Sequence, residues 1–158
     1  MSSPGRALDR RRNCRLMGRR EAHDTPGRHE VHYTAAATLL ALLLYMGLSF
    51  VAGQARGRYR IKAPAVTGHE NFERAYRVQM NTVEQMVFFL PALWLCAVLL
   101  SDKGAAVGGL IWVIGRALYA VSYLDAPEKR GTGMIISMLA ETGLFLGAVY
   151  GLVRAAIG

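Results

Sequence analysis

Four stretches of this chain are almost unbroken apolar sequence, at about 31–53, 78–100, 105–124 and 134–153, and polar breaks separate them. A bilayer core of about 30 Å is crossed by about 20 residues at a rise of about 1.5 Å each, so every run is long enough to span it. None shows the strict alternation of a barrel strand, and helices satisfy their own backbone hydrogen bonds in lipid. The pattern predicts an all-α integral membrane domain over 31–158. The connections after the second and third runs, SDKG and DAPEKRGTG, are short. They force antiparallel neighbours and hence an up-down-up-down four-helix bundle.

The second run carries polar groups where lipid-facing sequence would not. In the segment FERAYRVQMNTVEQMVFFLP, Arg77, Asn81 and Glu84 recur at i, i+4 and i+7. At 100° per residue they share a narrow sector with Glu73 and Phe88, while Gln79 points to the other side. An ionisable side chain at membrane depth costs roughly 2.5–3.5 kcal/mol, so this stripe should be paired, hydrated or holding a ligand. The third run repeats the device with Arg116, Tyr119 and Tyr123, and Arg130 follows in the next loop. Tyrosines also anchor helices at interfaces, which is the simpler reading of Tyr119 and Tyr123. Glu141 is the one acidic residue inside the fourth run.

Charge and composition refine this picture. The formal net charge is +8, and much of it lies in residues 1–30, an arginine-rich stretch with few large apolar residues that is expected to be disordered. No apolar signal core precedes Ala35, so the stretch reads as a tail before a retained helix, with Met17 a candidate later start. A nucleic-acid-binding arm would need aromatic interleaving or a folded reading module, and neither is present. Arg56, Arg58, Arg60 and Lys62 crowd the loop after the first run and place it in the cytoplasm by the positive-inside rule. The tail's arginines argue for the opposite orientation, but they lie farther from the span. Cys14 and Cys96 make no disulfide framework, and Cys96 reads as a small buried apolar residue. The arginine, alanine and glycine bias points to a bacterial inner membrane rather than a eukaryotic microsomal one.

Arginines, an amide, a carboxylate and phenols gathered at one membrane face suit a small ligand bearing carboxylates and an amine. Guanidinium forks bind carboxylates, Glu84 can receive an ammonium, and Asn81 can serve peptide groups. Glutathione has this inventory, together with a thiol that is only about 3 % ionised at pH 7. Lowering that thiol's pKa by about two units requires about 2.7 kcal/mol of thiolate stabilisation, within reach of a well-placed arginine. No metal is implied.

The ordered set Arg56, FERAYRVQMNTVE, Pro91, Trp94, Arg116, Tyr119, Tyr123 and Arg130 resembles the MAPEG superfamily, the membrane-associated proteins of eicosanoid and glutathione metabolism. It is most similar to the branch of cysteinyl-leukotriene synthases and microsomal glutathione transferases. The resemblance implies a homotrimer with glutathione bound between subunits near the cytoplasmic face. It assigns Arg77, Asn81, Glu84, Tyr119 and Tyr123 to glutathione from one subunit, with Arg56 and Gln79 approaching from the neighbour. Arg130 matches the arginine that stabilises the thiolate, and Arg116 is an auxiliary whose role the resemblance does not define. The second substrate would be a hydrophobic electrophile or a lipid hydroperoxide arriving from the bilayer.

Three positions depart from that branch. Gln85 stands where a tyrosine contacts glutathione, Gly57 replaces a second arginine beside Arg56, and Glu141 has no counterpart. Glu141 is expected to pair with an arginine of the third helix or to face an interface. The expected activity is a glutathione transferase, with glutathione peroxidase activity as an extension. The alternatives are a non-catalytic lipid-binding protein of the lipoxygenase-activating type, which would need neither Arg130 nor the stripe, and a small transporter built on Glu141.

Overall fold

Each apolar run folds as a helix longer than the run itself. In the computed structural model, which describes residues 31–158, the helices are α1 (His32–Arg58), α2 (Glu70–Leu99), α3 (Asp102–Asp125) and α4 (Gly131–Ile157). A 3-10 turn, Pro127–Arg130, joins α3 to α4. The expected tail at 1–30, with Cys14 and Met17, lies outside the described residues. All four helices are long and apolar enough to cross a membrane, and no strand occurs among the described residues. The chain is an all-α, multi-pass membrane bundle.

The largest extension is at the start of α2, which begins at Glu70, eight residues before the apolar run. A hydropathy window ends where charges begin, but helix propensity does not. His69 caps this end by accepting the Asn71 amide at 3.2 Å, and Glu70 and Glu73 place negative charge on the first turn. The polar turns of α2 therefore project as ordered helix beyond the apolar layer. Pro91 lies inside α2 and removes one helical amide donor farther along.

Long-range bonds at the two ends fix the up-down-up-down order. At one end, Asp102 of α3 accepts the backbone amides of Tyr33 at 3.1 Å and Thr34 at 2.9 Å. Val31, at the N-cap of α1, makes no capping bond of its own, so α1 is capped across the bundle by a carboxylate from α3. At the other end, Arg74 of α2 donates to the carbonyl of Asp125, the last residue of α3, at 3.3 Å. Asp102→Ala is expected to lower bundle stability by about 1–2 kcal/mol, the range of a lost cap, and Asp102→Asn by less. Thermal unfolding in detergent measures this, and an unchanged midpoint for Asp102→Ala would refute the cap.

The core centres on α2 and α3, where Phe89 and Trp112 stack with ring centroids 3.9 Å apart. Leu93, Leu144 and Cys96 pack around them, and Cys96 occupies the buried apolar position expected of it. Helices α3 and α4 cross most closely at glycines. A Cβ on Gly133 would overlap the amide nitrogen of Tyr119, and one on Gly115 would lie 2.7 Å from that of Ser137. Small residues at such a crossing replace the hydrophobic drive that is weak between helices in lipid.

Candidate functional site

The polar stripe of α2 lines a cavity. Glu73, Arg77, Asn81 and Glu84 border a space of about 300 Å³, together with Tyr76 and Met80 of the same helix and Val66 and Thr67 of the preceding loop. The volume is at the lower end for small-molecule sites, about 300–1,000 Å³. Helical geometry puts these side chains in one row, and the fold leaves that row open instead of packing another helix on it. The cavity offers a guanidinium, two carboxylates, an amide and a phenol. A ligand carrying both charges and peptide groups matches that set.

The loop wall is held by residues at its two ends. Arg56, at the end of α1, donates to the carbonyl of Ala65 at 2.8 Å and to that of Ile61 at 3.5 Å, and stacks 4.7 Å above the Phe72 ring. Gly68, with φ +135°, turns the chain so that its amide donates to Glu73 at 2.9 Å. Only a glycine adopts that conformation readily. Within the protomer Arg56 thus shapes the loop beside the cavity and does not line the cavity itself.

Behind the stripe, α3 supplies a row of rings and cations. The Asn81 amide donates to the Tyr119 hydroxyl at 2.6 Å. Tyr119 and Tyr123 meet with centroids 5.6 Å apart, Arg116 lies 4.2 Å over the Tyr119 ring, and Arg130 lies 5.4 Å over the Tyr123 ring. Tyr119, Tyr123 and Arg116 are buried, while Arg130 is exposed on its 3-10 turn. The two tyrosines are bundle residues, not interface anchors. The stripe is therefore joined to Arg130 through one hydrogen bond and two ring contacts.

Gln79, on the opposite side of α2, turns into its own bundle, where its amide approaches Tyr45 and Ser49 of α1 at 3.4 Å each. Gln85 also turns inward. Its Oε1 accepts from Arg116 at 3.2 Å and from Ser137 at 3.5 Å, so the amide serves the α2–α3–α4 junction and not the cavity. Thr82, not singled out in the sequence, accepts from Arg116 at 2.8 Å while donating to the Val78 carbonyl. Its signal is its place on the core face of α2, where a hydroxyl in an apolar row implies a polar neighbour. Tyr76 and Met80 are cavity residues that sequence reasoning does not single out; they flank the stripe by one helical step.

A second, larger cavity of about 610 Å³ opens where the end of α1 meets the start of α2 and the end of α3. Val51, Ala75 and Leu124 give it apolar walls, and Arg58 and Asn71 give it a polar rim.

The MAPEG family matches residues 34–150. The chain belongs to the MAPEG family. It is 45 % identical over 120 residues to an uncharacterised protein of Synechocystis sp., covering 76 % of this chain and 88 % of that one. It is 36 % identical over 104 residues to human microsomal glutathione S-transferase 2, covering 66 % of this chain and 71 % of the relative. Bovine leukotriene C4 synthase is 35 % identical over 101 residues, covering 64 % and 67 %. The family and its membrane architecture are as the sequence resemblance implied, and the named MAPEG relatives support glutathione-related transferase chemistry at the level of the family.

Proposed function

We propose that this MAPEG protein is a membrane-bound glutathione transferase that joins the glutathione sulfur to a hydrophobic electrophile. The observation that carries this reading is the cavity in which Arg77, Asn81 and Glu84 converge, with Asn81 tied to Tyr119. Arg77 takes a glutathione carboxylate, Glu84 its ammonium and Asn81 a peptide group. Arg130 faces the sulfur and stabilises its thiolate. The thiolate attacks the electrophilic carbon, a C–S bond forms, and the leaving group departs with its electron pair. With a lipid hydroperoxide the same thiolate attacks the distal peroxide oxygen and releases the lipid alcohol. A second glutathione then reduces the resulting sulfenic acid, giving glutathione disulfide and water.

Assembly as a homotrimer completes the reading. The cavity's lining within one protomer comes from α2 and the loop before it alone, which leaves its outer side for another subunit. A neighbouring subunit against that side brings its own Arg56 toward the ligand. Gln79, whose amide lies 3.4 Å from Tyr45 and Ser49 on the side of α2 away from Arg77, is the second residue proposed to approach from the neighbour. The end carrying Arg58, Arg60, Lys62 and Lys129 faces the cytoplasm by the positive-inside rule, which opens the site to cytoplasmic glutathione.

A glutathione titration of the detergent-solubilised protein, followed by thiolate absorbance, tests the reading. Arg77→Ala and Glu84→Gln are each expected to weaken glutathione binding by about 10- to 100-fold, the range of one charge-assisted hydrogen bond. A wild-type protein that shows neither thiolate absorbance nor conjugation of an aryl halide refutes it. Lipid binding without glutathione binding would instead mark a non-catalytic lipid-binding protein.

A further inference from the structure

Arg116 is 1 % exposed, inside a bundle that crosses lipid, where an aliphatic side chain would be far less demanding. Its surroundings are specific. Nη1 donates to Gln85 and Nη2 to Thr82, both on α2, and the guanidinium plane covers the Tyr119 ring one turn along α3. Its Nε is buried without a hydrogen-bond partner. An acidic residue of α4 lies on the same part of the helix. Glu141 is half-buried and held by the Trp112 indole, whose Nε1 donates to it at 3.2 Å. Trp112 lies one helical turn before Arg116 on α3, so this bond brings Glu141 to the side of α3 that carries the guanidinium. Gln85 and Thr82, not Glu141, take the guanidinium hydrogen bonds, so the acid leaves Arg116 seated on the tyrosine.

Tyr119 is the next link. One face of its ring meets a cation, and its hydroxyl meets Asn81 at 2.6 Å. A ring held by a cation over its face has a fixed plane, and the plane sets where the hydroxyl sits. The Asn81 amide follows the hydroxyl. We propose that Arg116, charge-balanced by Glu141, is a positioning residue that orients Tyr119 and thereby presents Asn81 to the ligand. This rests on the reading of the α2 cavity as a glutathione site. It also assigns Glu141 and Gln85, two departures from the related branch, to one unit: Gln85 accepts from Arg116 and Glu141 supplies the counter-charge.

The test is a double-mutant cycle on glutathione affinity in the full-length, detergent-solubilised protein. Arg116→Gln and Asn81→Ala alone are each expected to weaken binding about 5- to 10-fold, the range of one lost hydrogen bond. Combined, they should be little worse than either single variant, because both remove the same contact. Turnover of Arg116→Gln at saturating glutathione should change less than about twofold, since Arg130 is untouched. Arg116→Lys, which keeps the cation, should recover part of the affinity. If Arg116→Gln does not fold, Glu141→Gln replaces it in the cycle, because it retains shape and an acceptor for Trp112. Multiplying losses in the combined variant would overturn the proposal, leaving Arg116 a general stabiliser. Absence of glutathione binding by the wild type would overturn the cavity reading itself, a different result.

Discussion

Arg130→Ala is expected to lower glutathione-dependent turnover at neutral pH by about 25-fold while changing glutathione affinity by less than about fivefold. Arg130 is exposed on the Pro127–Arg130 turn, over the Tyr123 ring and outside the row of α2 side chains that borders the cavity. On the proposed reading it meets the reacting sulfur without anchoring the rest of the tripeptide. A cation beside a thiol favours its ionised form. If the bound thiol titrates about two units below its usual value of about 8.5, its thiolate is well populated at pH 7 in the wild type and scarce in the variant. The sign follows directly: the fold deficit is full below the lower pKa, falls as pH rises between the two values, and vanishes above about 8.5, where the thiol ionises unaided. A pH profile of kcat/KM for both proteins measures this. A deficit that stays constant to high pH would mean that Arg130 acts otherwise than through the thiolate.

The second large effect concerns the fold beneath the site. Gly133→Val is expected to destabilise the bundle by about 3 kcal/mol or more and to abolish glutathione binding in whatever protein remains folded. A Cβ at this position would overlap the Tyr119 amide nitrogen and lie 2.6 Å from the Tyr119 Cα and 2.8 Å from the Gly115 carbonyl oxygen. These are backbone atoms, so no rotamer change relieves the clash, and the helix that must move carries Tyr119. Gly143, on the same helix, would have nothing within 4 Å of an added Cβ. Gly143→Ala should therefore be neutral or stabilising by up to about 1 kcal/mol. Thermal unfolding of the two variants in detergent separates them, and equal midpoints would show that the crossing tolerates a side chain.

Much of this architecture is legible in the sequence because the physics is local. An apolar run of bilayer length gives a helix, a short connection gives an antiparallel neighbour, and a period of 3.6 residues places Arg77, Asn81 and Glu84 on one face. Periodicity fixes a residue's angle on its own helix but not which helix lies opposite. That is why Gln79 stands apart from Arg77 in the sequence, while its partners Tyr45 and Ser49 emerge only from the fold. Gln85 is marked in the sequence only by the tyrosine it replaces, and its bond to Arg116 depends on the register of α2 against α3. Arg116 itself stands out as a cation at membrane depth, but its neighbours Thr82 and Tyr119 become meaningful only once the two helices are docked.

The cap on α1 bears on how the molecule is made. The first of the four described helices has no capping side chain at its own start, and its Thr34 amide is completed by a carboxylate 68 residues later in the chain. Until α3 has been synthesised and inserted, those amides must stay in contact with water or lipid headgroups. Closure of the α1 start is therefore a late step of biogenesis, timed by the arrival of Asp102 at the same membrane surface.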